Sequence, residues 1–333
     1  MVAVHDKDGN RLMPCTQKRA RLLLERGQAR ARWIGGVFYI QLLKEPSARE
    51  CQKVVVGIDT GSMRESYTVA TKNGVVININ TNTPYWVKKK IANRKALRRG
   101  RRYRKTPYRK CRLNRKKKNW LAPSTKARWQ TKIRIVSFLM KLFPITAIGI
   151  EDIKAETKED DKKWNQSFSP LEVGKKWCYE ELQKLVPCFY TFAGYDNKKH
   201  RDVRGFIKIK EKLKPVWEAH CVDSHVMCEQ LLNTEIEPFK GFHYFEFFQW
   251  HRRQLHHEQI KKGGARRQYG TTITAGKPRG TLLRHKKYGL CYLGGYRKGG
   301  ASLHNMQGLR IARDVKIEDC KFLCILKWKL NER

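Results

Sequence analysis

Asp59, Glu151, Asp223 and His220 are residues of the types that phosphodiester chemistry requires, and they stand far apart along the chain. Hydrolysis by paired divalent ions needs hard oxygen ligands from separate elements, placed so that two metals sit roughly 3.5–4 Å apart across the scissile phosphate. Asp59 closes the apolar run in KVVVGIDTGS (53–62), and Glu151 closes a second in PITAIGIED (144–152). Asp223 lies in WEAHCVDSHVMCEQLL (217–232), with His220 three residues ahead of it on the same side of a predicted helix. Three carboxylates brought together repel one another and resist ionising unless a cation neutralises them. Each residue also has a plainer reading. An aspartate before Thr-Gly-Ser is often a turn residue. Glu151 adjoins Asp152, and on a strand only one of two neighbours can face a site. A histidine is more often packed than catalytic, and His225 competes with His220. The conjunction of the four is what points to a nuclease centre.

The elements that must position them can be read from periodicity. KVVVGID, SYTVAT and GVVINI are short β-rich runs between glycine-containing turns, as in an antiparallel meander. Residues 125–142 show a helical pattern with Trp129, Ile133, Val136, Leu139 and Met140 on one face. The segment 156–215 is polar and mixed, with KEDDKK and DNKKHRD read as surface loops. Ala219, Val222, Val226 and Leu231 are the inward face expected of the helix at 217–232. The first fifty residues form a unit of their own. VAV, the turn DKDGN and RLMP predict a hairpin; Thr16 caps a helix over TQKRARLLLER with Ala20, Leu23 and Leu24 as its apolar stripe, and Gly27 stands past its end. GVFYIQLL (36–43) is a strand. Beyond residue 240, frequent glycines punctuate short β runs such as TLLRH, LCYLGG and FLCILKW, the pattern of a small twisted sheet or barrel.

Lys and Arg number 72 against 30 Asp and Glu, a formal charge of +42, which makes a polyanion the natural partner. No apolar run approaches the roughly 18 residues of a spanning helix, so no membrane partner is expected. MVAVHDKDGN carries no signal region, and the chain is expected to stay inside the cell with its ten cysteines reduced. No Cys-x-x-Cys occurs, which argues against a structural zinc site. Between Ser66 and Ile150 there is no acidic residue, and residues 88–118 hold 18 Lys or Arg in 31 positions. A charge run is usually a solvated tail. Here Ala92, Ala96, Leu97, Tyr103, Tyr108 and Leu113 interrupt it and it lies between core segments, so an ordered basic helix that threads nucleic acid is expected.

VVVGIDTGS resembles the first motif of the RuvC nucleases, AIGIEDIKA the second and HCVDSHV the third. The order strand-carboxylate, arginine-rich helix, strand-carboxylate, His-x-x-Asp is similar to that of the transposon-encoded IscB and IsrB proteins. RLMPCTQKRARLLLERGQARA resembles their amino-terminal PLMP unit, and RRQLHHEQIKKGGARRQYG and RHKKYGLCYLGG resemble their carboxy-terminal region. IscB proteins insert an HNH nuclease between the second and third motifs. Only about 70 residues separate Glu151 from Asp223 here, without that framework, so the likeness is to IsrB. The usual proline and lysine around the first motif are Thr60 and Met63, and Arg11 takes the first position of PLMP.

The resemblance implies an α/β fold with an RNase H-like (RuvC) core split in three segments, an arginine-rich bridge helix, a small PLMP unit and a C-terminal β-rich domain. The implied divisions are 1–50 PLMP, 51–85 RuvC segment I, 86–120 bridge helix, 121–155 RuvC segment II, 156–215 a connector without HNH, 216–235 RuvC segment III and 236–333 the C-terminal region. Asp59, Glu151 and Asp223 would ligate two Mg²⁺, with Mn²⁺ as an alternative, and His220 would orient or deprotonate the attacking water. The partners implied are a guide RNA (omega RNA) and target double-stranded DNA, held by a monomeric protein in a ribonucleoprotein within the prokaryotic cytoplasm. Arg94, Arg98, Arg99, Arg101, Arg102, Arg104, Arg109, Arg112 and Arg115 would grip the guide duplex by its phosphates. Arg266, Arg267, Tyr269, Arg279 and Lys286 are the candidates for reading the DNA beside the target. The expected function is an RNA-guided nickase of the non-target strand; the alternatives are a guide-independent RNase H-like resolvase and an RNA-binding structural protein.

Overall fold

A computed structural model describes residues 1–84, 86–103, 121, 123–153, 170–211, 214–247, 256–257, 268–269, 273–297, 299–326 and 328–332. The chain opens with β1 (Val2–His5), β2 (Arg11–Cys15), α1 (Gln17–Glu25), β3 (Ala29–Ile34) and β4 (Val37–Leu42). Their sheet runs β2-β1-β4-β3 with β1 parallel to β4. Asp6 closes the DKDGN turn by accepting from the backbone N–H of Asp8 at 2.9 Å and of Asn10 at 2.8 Å. Thr16 Oγ1 accepts from the Arg19 N–H at 3.2 Å and so starts α1, and Gly27 ends it with φ +62°. Ala20, Leu23 and Leu24 pack on Val2, Val4 and Ile40, the stripe expected of them. Sequence reading missed β3, whose alternating arginines look like a continuation of the basic helix.

Next come β5 (Val55–Asp59), β6 (Arg64–Thr71), β7 (Gly74–Asn82), α2 (Trp86–Tyr103), α3 (Pro123–Leu142), β8 (Ala147–Asp152), α4 (Pro170–Gln183), β9 (Cys188–Ala193), α5 (Gly194–Val203), α6 (Trp217–His220) and α7 (Val222–Leu232). The strands lie in the order β7-β6-β5-β8-β9. β6 is antiparallel to both β5 and β7, whereas β8 and β9 run parallel to β5. A sheet of order 3-2-1-4-5 with its second strand reversed is the RNase H-like arrangement, and the chain is α/β on that core. The DNKKHRD stretch, expected as a surface loop, is helical and forms most of α5. The predicted helix over 217–232 is interrupted at Cys221, which separates α6 from α7.

The sheet extends past β7. β10 (His243–Phe247) pairs parallel with β7, and a last strand, Trp328–Glu332, pairs antiparallel with β10. The region after residue 240 therefore supplies two strands to the core sheet as well as a small sheet of its own. That second sheet has five strands, Thr281–His285, Gly289–Arg297, Gly300–His304, Arg310–Val315 and Cys320–Ile325, around Leu283, Cys291, Leu293 and Leu303.

Alternation decides what each face of the core carries. Val54, Val56, Ile58, Tyr67, Val69 and Ile79 face α3 and α4, meeting Ile135, Val136, Leu139, Leu142 and Leu182. Within this layer Lys132 of α3 forms a buried ion pair with Glu65, whose other oxygen accepts from the Tyr67 hydroxyl at 2.8 Å. The opposite face, carrying Val55, Ala70 and Ala147, packs against Cys228, Leu231 and Leu232 of α7. Gly57 sits on that face because α7 crosses it in contact with the backbone: a Cβ there would stand 2.0 Å from the Ser224 carbonyl oxygen.

Gly57→Ala therefore has to push α7 off the sheet. Overpacking against backbone is expected to lower stability by about 1–3 kcal/mol in urea unfolding. Gly100→Ala in α2, where a Cβ meets nothing within 4 Å, is the control and should be neutral or slightly stabilising.

Candidate metal centre and nucleic-acid interface

The same alternation that buries Val56 and Ile58 on one face sends Val55, Gly57 and Asp59 to the other, toward α7. β8 runs parallel to β5 with Ile58 opposite Ile150, so the next residues, Asp59 and Glu151, end side by side. Asp223 enters from above in the first turn of α7. Carboxylate oxygens of Asp59, Glu151 and Asp223 lie within 4.8 Å of one another. Asp59 and Asp223 are buried and Glu151 is half-buried. Asp152 points the opposite way, accepting from the Tyr179 hydroxyl at 3.0 Å and pairing with Lys175 at 3.0 Å. That geometry resolves the choice between Glu151 and Asp152.

The surrounding backbone is shaped to this cluster. Gly61 lets the chain turn directly after Asp59, since a Cβ there would stand 1.8 Å from the Arg64 carbonyl oxygen. Thr60 Oγ1 donates to the Glu151 carbonyl at 3.2 Å and ties that turn to β8. Gly194 leaves room at Glu151 Oε1, which a Cβ would approach to 3.1 Å.

Electrostatics follow from the crowding. Burial pushes Glu151 up first, then the charge of Asp59, a hydrogen bond between the two carboxyl groups and the charge of Asp223, to a pKa of about 8. Arg201 Nη1 donates to Asp223 Oδ1 at 2.5 Å, and Lys208 Nζ donates to Asp223 Oδ2. Burial pulls the Lys208 ammonium down, but Asp59 and Asp223 outweigh it and hold the group above the usual lysine range. Three hard carboxylate donors fit a divalent cation such as Mg²⁺ or Mn²⁺ in ligand type, and their mutual repulsion is relieved by one.

His220 is buried on α6 and is not part of the convergent carboxylate set. Its Nε2 lies 2.8 Å from the Lys214 carbonyl oxygen and 3.0 Å from Arg64 Nη1, and its ring meets Phe242 edge-on. His225, its rival in the sequence, packs edge-on to Phe206 and Trp217, with Nε2 3.5 Å from Glu229 Oε1. Glu229 is a brace that the sequence did not disclose. Burial raises its pKa, but hydrogen bonds from His225, the Ile236 N–H and Arg204 prevail and hold the carboxyl at about 2. Arg204 thereby fastens the end of α5 to α7. Arg201 and Lys208 were missed as well, because they sit in a polar stretch that reads as surface. The one signal for them was indirect: a buried Asp223 needs a positive partner.

The basic helix begins as expected. Among the residues of α2 whose burial is described, Val87 is the single buried anchor, and from Ile91 to Gly100 every residue is exposed, Arg94, Arg98 and Arg99 among them. Arg94 and Arg98 donate through Nε to carbonyls one turn back, Lys90 and Arg94, at 3.3 Å. Arg102 is exposed near the end of α2, and Arg101 lies on the same helix. Arg104, Arg109, Arg112, Arg115, Arg266 and Arg267 lie outside the described residues, and Tyr269 is described only as part of a short strand. Arg279 is half-buried with its guanidinium over Gly295, and Lys286 is exposed and paired with Asp319 at 3.0 Å.

Residues 2–165 match the family described as RRXRR protein. The match is just under half of the chain and runs through β8, and the pattern in that description stands at Arg98, Arg99, Gly100, Arg101 and Arg102. No curated protein matches the chain. Among solved structures, Thermus thermophilus RuvC in complex with a Holliday junction substrate is 14% identical, with 56% of this chain and 83% of that one covered at a TM-score of 0.24. T. thermophilus RuvC alone gives 15%, 56%, 84% and 0.24. The yeast mitochondrial Holliday junction resolvase gives 12%, 54%, 78% and 0.28.

Metal binding to the carboxylates has to remove the proton that Glu151 keeps below a pH of about 8. Mn²⁺ affinity measured by titration calorimetry should therefore rise by up to about tenfold per pH unit from pH 6 and level off above 8, with a proton released on binding below that point. The neutral form of Glu151 favours the metal-free fold most below its ordinary carboxylate range, and that contribution is lost as pH rises through 8. A flat profile across this window removes Glu151 from the ligand set.

Proposed function

We propose that this chain is an RNA-guided DNA nickase of the IsrB kind, cutting the non-target strand of double-stranded DNA. The observation that carries the reading is the convergence of Asp59, Glu151 and Asp223 on an RNase H-like sheet, in a chain that places an exposed arginine-rich helix between the first two. Asp59, Glu151 and Asp223 would hold Mg²⁺ or Mn²⁺, which supplies a lowered pKa for bound water and charge for the phosphate. The chain's own part is to fix those carboxylates by strand register and by the α7 crossing at Gly57. His220 is assigned to the attacking water through the Arg64 and Lys214 contacts that fix its ring.

The arginines of α2, Arg94, Arg98, Arg99, Arg101 and Arg102, with Arg104, Arg109, Arg112 and Arg115 beyond it, hold the backbone of a guide RNA–DNA duplex. Sequence is then read by base pairing and not by protein side chains. A formal charge of +42 supports a nucleic-acid partner as a standing component of the particle. The divisions 1–50, 51–85, 86–120, 121–155, 156–215, 216–235 and 236–333 keep the roles that the resemblance gives them, with Arg266, Arg267, Tyr269, Arg279 and Lys286 assigned to the DNA flanking the target. The setting is the prokaryotic cytoplasm; among the described residues no helix is long and apolar enough to cross a membrane.

The test is nicking of a supercoiled plasmid by the protein co-expressed with the noncoding transcript adjoining its gene. Guide-matched, metal-dependent nicking is expected, and Asp59→Ala or Asp223→Ala should lower it at least about a hundredfold, the size of losing one electrostatic contact to a transition state. Cutting of a four-way junction without RNA would instead establish the guide-independent nuclease.

RNA affinity should fall steeply with salt. Replacing Arg94, Arg98, Arg99 and Arg102 by alanine is expected to reduce the slope of log K against log[salt] by about 3, at roughly 0.7–0.9 per phosphate contact. An unchanged slope in filter binding removes α2 from the interface.

A further inference from the structure

Asp223 is 2% exposed, and both of its oxygens are taken by cations from the segment after β9. Arg201 comes from the last turn of α5 and Lys208 from the extended stretch beyond it. The backbone on either side is pinned. Arg204 is bonded to Glu229 and Glu235, Phe206 packs edge-on against Trp217 at 5.7 Å, and the Ile209 N–H donates to the Glu218 carbonyl at 3.0 Å. The two side chains are more open than the carboxylate they hold, 13% exposed for Arg201 and 27% for Lys208. They can swing while the chain that carries them stays in place.

Charge makes this pairing incompatible with a fully loaded metal centre. Arg201 and Lys208 already place two positive charges on Asp223, and a divalent ion added there would bring surplus positive charge into a site of low dielectric. A guanidinium and an ammonium have no acceptor to offer a metal, so they compete with it for the same oxygens. Resting on the nuclease reading above, we propose that Arg201 and Lys208 are displaceable counter-ions of the metal centre. Without metal they hold Asp223 in place; a divalent cation on Asp223 expels them, and the phosphodiester that must lie over these carboxylates is then the nearest anion for them to take up. They act as positioning residues for metal and phosphate. Their segment lies between the second and third carboxylates of the chain, so that connector contributes directly to the centre.

The experiment is Mn²⁺ titration calorimetry on the nucleic-acid-free full chain and on Lys208→Gln, Arg201→Gln and Lys208→Arg. Each glutamine variant should bind Mn²⁺ about tenfold more tightly or better, because one competing charge is gone. Lys208→Arg should stay near the parent. Melting temperature provides a second readout, and Mn²⁺ should raise it more in the glutamine variants than in the parent. On the unmodified chain, saturation with Mg²⁺ should change the ¹⁵Nζ signal of Lys208 from that of a carboxylate-bound ammonium to that of a solvated one. Equal or weaker Mn²⁺ affinity in both glutamine variants, or an unmoved Lys208 signal at saturation, overturns the counter-ion role. Asp59→Asn separates the two levels of the reading. If it abolishes Mn²⁺ binding while the glutamine variants match the parent, the metal centre stands and only the counter-ion role fails; if no form of the chain binds Mn²⁺, the metal centre fails and takes this role with it.

Discussion

Carboxylates whose oxygens lie within 4.8 Å of one another in a mostly buried site cannot all carry charge unless opposite charge is close at hand. Much of what surrounds Asp59, Glu151 and Asp223 can be understood as an answer to that repulsion. Glu151 keeps its proton to a pH of about 8, and Asp223 is held by Arg201 and Lys208. A divalent cation would answer the same repulsion more completely, since one ion can take oxygens from several carboxylates at once. The arrangement is thus poised between internal compensation and compensation by a metal, and the difference between those states is a matter of which cations sit on Asp223.

Holding like charges together also demands a rigid frame, because any slack would let them separate. The frame comes from three contacts that leave no room. Gly57 admits the backbone of α7 against β5, and Gly149 admits Phe192 and Leu231 beside β8, where a Cβ would meet them at 2.6 and 3.1 Å. Ser66 and Thr68 of β6 reach the Ser224 hydroxyl at 3.2 and 2.8 Å, so the turn of helix after Asp223 is hydrogen-bonded to the sheet. Glu229 then fastens α5 through Arg204, and that link brings Arg201 and Lys208 to the cluster. On the far face, the buried Glu65–Lys132 pair joins β6 to α3. Removing one partner there would leave an uncompensated charge, which typically costs about 3–5 kcal/mol.

The exposed side of the molecule poses the reverse problem. α2 presents arginine and lysine around most of its surface, with Leu97 and Tyr103 also facing outward at 74% and 83% exposure. A helix with so little buried face and no acidic residue along its own length gains little from its own tertiary packing. Phosphates along its length would relieve the repulsion between its side chains and cover its stray apolar groups. The excess of cations is what makes the buried anions chemically distinct: in a chain of +42, a cluster of carboxylates is where a divalent cation can be held.

The sequence alone determined much of this. Asp59 and Glu151 stand at the ends of apolar runs, so they were bound to emerge at strand ends, and the absence of acidic residues between Ser66 and Ile150 marked the basic helix. Thr16, Gly27 and the DKDGN turn fixed the amino-terminal unit, because caps and turns are local interactions between residues a few positions apart. Strand register, helix crossing and charge pairing are long-range, and only the tertiary structure decided them. Alternation along β8 showed that one of Glu151 and Asp152 must face the site, but the parallel pairing with β5 chose Glu151. A break at Cys221 put His220 on a separate helical turn from Asp223, which a continuous periodic pattern conceals. Arg201 and Lys208 lie in a stretch whose local composition resembles surface, and the two strands added to the sheet from beyond residue 240, His243–Phe247 and Trp328–Glu332, carry apolar side chains but no local sign of which sheet they join. What brought them inward was the need of buried carboxylates for counter-charge and of an open sheet edge for a partner, and neither need is visible until the chain has folded.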